Sequence, residues 1–355
     1  MQKLVHVYDH IISIENLLGA WREFIRGKRH KLDTQQFSFR LMDNLLTLHH
    51  DLQTSAYHHG SYQTFKINDP KPRIINKATV RDRLVHRAVY RQLYWFFHQR
   101  FIYDSYSCQL GKGTHKALNH FRALTYEVSQ NHTKTCWVLK CDIKKFFASI
   151  DHQILKSILA PHFNDQDTVN LLAKIIDSFH TAPNVGLPLG NLTSQLLSNI
   201  YLNQFDQFIK HELKVKHYIR YADDFVILSQ NKPRLENLLT SIASFLETNL
   251  RLQLHHDKIF LQTIAAGVDF LGWVHFSDHR VLRTRTKRRM WRKLKEIPSK
   301  LVRIQSYLGM LGWGNSHKLQ EYLSRIQQPA TDQDAREDNQ RQDGEKLRQR
   351  NNFKQ

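Results

Sequence analysis

The chain has 355 residues, 41% of them hydrophobic, with 52 Lys and Arg against 32 Asp and Glu, a formal net charge of +20 and a pI near 9.9. That length supports one large multi-subdomain enzyme or two to three domains, and the charge favours a polyanionic partner, nucleic acid first. Three cysteines without a CxxC pair argue against a structural zinc site and suit a reducing cytosol, no run approaches the ~20 apolar residues of a membrane span, and the N-terminus lacks a signal-peptide pattern.

Ile11, Ile12, Ile14, Leu17, Leu18, Trp21 and Phe24 recur at helical spacing and predict one amphipathic helix within residues 1–28. Arg22, Arg26, Lys28, Arg29 and Lys31 follow, either as a solvated helix end or as contacts to an RNA backbone. Phe39 to Leu52 predicts a second helix. Tyr62 to Ile67 alternates as a half-buried strand, Asn68-Asp69-Pro70 is a turn, and Lys71 to Ile75 starts the return strand. Val80 to Phe101 predicts a long helix with a buried face (Val85, Val89, Leu93, Phe96, Phe97) and a basic one (Arg81, Arg83, His86, Arg87, Arg91). Gly111 and Gly113 allow backbone to approach a ligand closely, and Thr114 is the expected N-cap of the next helix.

Trp137 to Cys141 is an apolar run that ends at Asp142. Phe146 and Phe147 follow, then Ser149 or Asp151 as a cap. Helices are expected over Asn164 to Phe179 and from the Gly190 loop to Ile209. Tyr218 to Leu228 holds two strand-like runs around Ala222-Asp223-Asp224, a hairpin with an acidic tip. Adjacent carboxylates repel, and a fold keeps them together cheaply only where a cation binds or water covers them. An exposed turn is one reading. The other is a magnesium site, in which Asp142 at a strand end supplies the missing carboxylate; two-metal phosphoryl transfer needs such groups at about 4 Å metal spacing. Lys232 to Leu250 predicts another helix. Between Arg280 and Arg303 there are eleven Lys and Arg against one acid, Glu296, with Met290, Trp291, Leu294 and Ile297 interspersed. That fits a helix tracking a duplex through phosphate contacts. Residues 301–326 predict a further helix weakened by Gly309, Gly312 and Gly314, and the polar stretch beyond Pro329 reads as disordered.

Tyr221-Ala222-Asp223-Asp224 resembles the YxDD box of reverse transcriptases, and Asp142 with Phe146-Phe147 resembles their first carboxylate motif. Asp104 to Ala117, Leu254 to Phe260 and Asp269 to Trp273 resemble further motifs in order, so the resemblance covers roughly residues 57–276. It implies an α+β right hand with an antiparallel palm sheet. Residues 1–56 form an N-terminal helical extension, 57–136 the fingers, 137–278 the palm, 279–328 a helical thumb and 329–355 the tail. It implies RNA-directed DNA synthesis with two Mg2+ ions, or Mn2+ in their place, held by Asp142, Asp223, Asp224 and the Ile143 carbonyl, with Asp224 the partial ligand. Arg73 falls where the family contacts the incoming triphosphate, unless it is an edge-strand charge. Phe147 falls at the steric gate against a ribose 2′-OH, unless both phenylalanines are core. Gly190, Gln195 and Lys258 complete the expected nucleotide surroundings. Arg283, Arg285, Lys287, Arg288, Arg289 and Arg292 are the expected nucleic-acid contacts, and Gln109 stands where the family carries a basic residue.

Leu189-Gly190 and Ser194-Gln195 replace the usual Gln-Gly and Ser-Pro of the fourth motif, as in the diversity-generating retroelement reverse transcriptases. Leu189 offers surface but no hydrogen bond, so low fidelity is expected; the resemblance implies errors opposite template adenine. It also implies a template RNA, an RNA/DNA hybrid and dNTPs as partners, a small basic accessory oligomer, no membrane, and a bacterial or phage-encoded protein in the cytoplasm. No endonuclease, RNase H or integrase segment is expected after the thumb. The alternatives are a retron, group II intron-like or phage-defence enzyme, or an inactive RNA-binding scaffold; three intact carboxylates argue against the last.

Overall fold

The helical periodicity at the N-terminus resolves into four helices instead of two. In the computed structural model, which describes residues 3–69, 71–295 and 300–327, α1 (Val7–Ile12) and α2 (Ile14–Phe24) replace the single helix expected there. Ser13 divides them: its ψ of 142° ends α1, and its hydroxyl accepts from Asn16 N as the cap of α2. α3 (Leu32–Phe39) and α4 (Leu41–Gln53) meet at Arg40, whose φ of −120° and ψ of 48° are non-helical. Apolar periodicity alone does not register such breaks, because the buried face continues across them.

β1 (Gln63–Ile67) and β2 (Arg73–Lys77) form an antiparallel hairpin that pairs Phe65 with Ile75 and Ile67 with Arg73. The half-buried alternation expected of β1 is not found. All five of its residues are exposed in this two-stranded ribbon, whose other strand is buried only at Asn76. α5 (Val80–His98) and α6 (Thr114–Val128) follow. Gly113 caps α6 in place of Thr114, whose hydroxyl lies instead 3.0 Å from Tyr221 Oη.

Next come β3 (Trp137–Asp142), α7 (Phe146–Ser149), α8 (His152–Leu159), α9 (Gln166–Asp177) and α10 (Leu192–Gln207). Asp151 caps α8 by accepting from Ile154 N. β4 (Tyr218–Tyr221), β5 (Asp224–Ser229), α11 (Lys232–Leu250) and β6 (Phe260–Thr263) complete the first unit, which ends at Val268. Its four-stranded sheet has the order β4-β5-β3-β6, with antiparallel neighbours throughout. Leu139, Cys141, Phe225 and Ile227 alternate onto the core face and are wholly buried. They share one apolar cluster with Leu93 of α5, Leu197 of α10 and Leu235 of α11; burying each such side chain stabilises by about 1.5–3 kcal/mol. The α+β class with antiparallel sheets is as expected.

The second unit starts at Asp269. It holds the three-stranded sheet β7 (Val268–Phe270), β8 (Trp273–His275), β9 (Arg280–Leu282), and the helices α12 (Thr284–Lys295), α13 (Lys300–Leu311) and α14 (His317–Gln327). The one helix expected over 301–326 is thus two, interrupted around Gly312 and Gly314. A Cβ at Gly314 would lie 2.1 Å from Trp273 Cζ3, so only glycine fits there. The tail expected beyond Pro329 lies outside the described residues.

A buried polar cluster around His59 and His86 makes a measurable prediction. His86 on α5 is 1% exposed, and its Nε2 lies 3.2 Å from His59 Nε2. Burial, and then the neighbouring His59, push the His86 pKa down from 6.5 to about 3. The unfolded chain therefore binds a proton that the folded chain refuses. The contribution of neutral His86 is fully present above pH 6.5 and is lost as pH falls from there towards 3. Urea unfolding should show about 2 kcal/mol less stability at pH 5 than at pH 7.5 from this residue. His86→Leu should flatten the slope by one proton; an equal slope in both proteins would show that His86 does not carry it.

Candidate active site

The acidic hairpin is tighter than the three-residue stretch Ala222-Asp223-Asp224 suggests. Asp224 already belongs to β5 and pairs with Tyr221 of β4, which leaves Ala222 and Asp223 as a two-residue turn. Such turns need positive φ at the first central residue, and Ala222 supplies it at 55°. On its other side Asp224 opposes Asp142 of β3. Directly opposed residues project to one face of a sheet, so these two carboxyl groups share a face. Ile143 N donates to Asp223 O at 3.2 Å, which ties the turn to the end of β3. The architecture thus gathers Asp142, Ile143, Asp223 and Asp224 at one end of the sheet.

The electrostatics of this end are strained. Burial, then the Asp142 carboxylate, raise the Asp223 pKa, with Lys258 and Arg73 pulling the other way. Burial, added to by Asp223 and Asp142 and opposed by Lys140, pushes Asp224 up to about 6. Lys258 Nζ meets Asp142 Oδ1 at 2.6 Å, and His255 N donates to Asp142 O at 2.8 Å. Among the described residues no three His, Cys, Asp or Glu side chains are gathered closely enough to hold a metal ion by themselves.

The other expected residues are distributed as follows. Arg73 is exposed on β2, within electrostatic reach of Asp223. β2 leans on the loop before α10: Asn76 N donates to Leu189 O at 3.1 Å, and Asn191 Nδ2 donates to Asn76 O at 2.8 Å. Gly190 has a φ of 109°, and a Cβ there would lie 2.8 Å from Ile75 Cγ2. Leu189 and Gly190 are thereby brought against the β1–β2 hairpin. Leu189 is half-buried, as is Gln195 in the first turn of α10. Of the two phenylalanines Phe146 is the core residue, at 2% exposure; Phe147 is half-buried, and its carbonyl accepts from Leu187 N at 2.7 Å. Gln109 is buried and turned inward, with Nε2 donating to Ser105 O and Oγ at 2.9 and 3.0 Å. In the second unit Arg283 Nη1 is paired with Asp269 Oδ2 at 2.8 Å. Arg285, Arg288 and Arg292 are exposed on the side of α12 opposite its buried Met290 and Leu294, Lys287 is exposed nearer to them, and Arg289 is half-buried.

Residues 66–275 match the family described as reverse transcriptase (RNA-dependent DNA polymerase). The chain belongs to the reverse transcriptase family. Members are nucleotidyltransferases, and this one is an RNA-directed DNA polymerase by class. It is similar to Protein YkfC of Escherichia coli K12, at 26% identity over 66% of this chain and 69% of that protein. The group II intron-encoded protein LtrA of Lactococcus lactis subsp. cremoris is 23% identical over 63% of this chain and 47% of that protein. The putative COX1/OXI3 intron 2 protein of Saccharomyces cerevisiae is 21% identical, over 60% of this chain and 30% of that protein. The chain therefore spans less than half the length of these two intron relatives. Among solved structures, apo telomerase from Candida tropicalis, truncated from its C-terminal domain, aligns with a TM-score of 0.48 and 11% identity, over 68% of this chain and 60% of that one.

Sequence reasoning misses several residues that shape this reverse transcriptase's candidate site. Lys112 Nζ donates to the carbonyls of Ile102, Tyr103 and Ser105, bracing the loop that Gln109 also braces. Burial lowers its pKa to about 8. Arg220 and Asp206 form an ion pair that is 0% exposed on both sides. A signal existed for Arg220, a lone cation among Tyr218, Ile219 and Tyr221, but not for Asp206, which sits among Asn203, Gln204 and Gln207. Nothing in the sequence says that they meet.

Proposed function

We propose that this reverse transcriptase copies a template RNA into DNA with low fidelity, in the manner of the diversity-generating group it resembles. One observation carries the polymerase reading: Asp142, Asp223 and Asp224 lie at the same end of one sheet, on β3 and the β4–β5 hairpin. Asp142 and Asp223, with the Ile143 carbonyl, would hold two Mg2+ ions, and Mn2+ would serve in their place. Bound there, the ions supply activation of a primer 3′-hydroxyl and neutralisation of the nucleotide phosphates. Lys258 orients Asp142 and balances its charge when no nucleotide is present. Arg73 presents a guanidinium suited to triphosphate oxygens. The β1–β2 hairpin serves as fingers, the four-stranded sheet as palm and α12 to α14 as thumb. The exposed cations of α12 bind backbone phosphates of an RNA/DNA hybrid without reading sequence. Arg283, paired with Asp269, contributes less than its neighbours. A small basic accessory oligomer and a cytoplasmic location belong to the same reading. Among the described residues no helix is long and apolar enough to cross a membrane.

Leu189 supports the low-fidelity part. It sits half-buried on the loop that faces the hairpin and has no polar group to hold a nucleotide in register. The relatives encoded in introns favour a second reading, a group II intron-like enzyme of ordinary fidelity. Primer extension on a defined RNA with Mg2+, followed by cDNA sequencing, separates the two. Leu189→Gln should lower misincorporation about tenfold, the worth of one added hydrogen bond of about 1.4 kcal/mol. Unchanged misincorporation would remove the low-fidelity reading and leave the intron-like one.

A further inference from the structure

We propose that Arg220 is the positioning residue of the acidic turn: its guanidinium, clamped by Asp206, holds the Ala222 carbonyl and so sets the peptide plane from which Asp223 departs. The inference rests on the reading of Asp223 as a metal ligand. Arg220 Nε donates to Asp206 Oδ1 at 2.7 Å and Nη2 to Oδ2 at 2.6 Å, a bidentate fork. Tyr218 Oη adds a bond to Asp206 Oδ1 at 2.8 Å. Nη1 uses its two hydrogens on Asn199 Oδ1 at 3.3 Å and Ala222 O at 3.1 Å. The Arg220 backbone is pinned as well: its N donates to Asp104 O and its O accepts from Tyr106 N, both at 2.9 Å. The fork that reaches the turn therefore has a fixed origin.

The turn needs such a brace. Ala222 is a non-glycine residue at positive φ, a conformation that persists only where its surroundings enforce it. Asp223 does not have positive φ. The two primed turn classes differ here: in one only the first central residue has positive φ, in the other both do. They interconvert by a flip of the central peptide, whose oxygen is Ala222 O. Asp tolerates the left-handed region well, so the flipped turn is accessible to Asp223. A flip would redirect the Asp223 carboxylate while leaving the rest of the sheet intact. The Nη1 hydrogen bond to Ala222 O opposes it. A buried ion pair is weak evidence for stability, since apolar replacements often serve as well. What this pair adds is a donor aimed at one carbonyl.

Two variants of the full chain test this. Arg220→Lys keeps a cation opposite Asp206 but loses the planar fork that reaches both partners. Arg220→Met with Asp206→Leu removes both charges and keeps the core apolar. Each is compared with wild type in urea unfolding, in Mn2+ affinity by electron paramagnetic resonance, and in single-turnover nucleotide incorporation on an RNA template with Mg2+. The expected result is a folded protein with Mn2+ affinity about tenfold weaker and incorporation about a hundredfold slower, the usual cost of disturbing an outer support or misplacing a group by an ångström. Wild-type Mn2+ affinity in a folded variant would overturn the proposal, and so would failure of both variants to fold, since Arg220 would then serve the core. Absence of incorporation by wild type would count against the polymerase reading instead, and the Mn2+ measurement would still decide the role of Arg220.

Discussion

Asp223→Asn should abolish nucleotide incorporation while leaving the metal-free protein at least as stable as wild type. The turn places Asp223 beside Asp142, and burial together with that carboxylate raises its pKa, so its charge is an unfavourable feature of the empty site. Asn keeps the shape and the turn propensity and removes the repulsion. It also removes a ligand from a reaction accelerated mainly by electrostatic stabilisation, where even one neutral donor is worth about 10²–10³ in rate. A loss of roughly 10³-fold or more in single-turnover incorporation is expected. Wild type should gain thermal stability on adding Mg2+, because a ligand that binds only the folded state stabilises it, and Asp223→Asn should gain almost none. Asp224→Asn should behave more mildly, at the lower end of that range, about 10²-fold in rate. Equal incorporation by wild type and Asp223→Asn would end the account of this site.

The parts of this molecule that were legible in the sequence are those written in short-range pattern. The hairpin around Ala222 and Asp223 is visible because β-branched and aromatic residues flank the acidic turn, and α11 because Leu235, Leu238, Leu239, Ile242, Phe245 and Leu246 recur at helical spacing. The core is visible as near-continuous apolar runs in β3 and β5, buried at Val138, Leu139 and from Phe225 to Leu228. What was hidden depends on contacts across the chain. The exposure of β1 could not be read, because alternation shows which face would be buried and not whether anything covers it. Thr114 has the right chemistry for a cap, yet its hydroxyl is taken by Tyr221, 107 positions away. Lys258 was expected near the active centre, but only the structure shows it on Asp142 Oδ1. Gln109 marks the same limit, since its departure from the family pattern is visible and its inward hydrogen bonds to Ser105 are not.

The discrimination against ribonucleotides should depend on Phe147 and not on Phe146. The two rings meet edge to face at 5.4 Å, but only Phe147 is half-exposed. Lys145, at a φ of 47°, starts the short helix α7 that carries both. The Leu187 N bond to Phe147 O then fixes the backbone from which the second ring projects. A ring held this way cannot yield easily to a 2′-hydroxyl. Phe147→Ala should therefore raise the efficiency of ribonucleotide incorporation relative to deoxyribonucleotide by about 10²-fold, the scale of a steric rejection of a few kcal/mol. Its stability cost should be small, because a half-exposed ring leaves no closed cavity. Phe146→Ala should do the opposite. It empties a core position at 2% exposure and should cost about 3–5 kcal/mol in urea unfolding, with the nucleotide ratio unchanged in the protein that remains folded. Competition between CTP and dCTP on an RNA template, read out by alkali-sensitive sites in the product, measures the ratio for each variant. If Phe147→Ala leaves the ratio where it was, the ring packs and does not select, and ribose exclusion must lie with another group at the site.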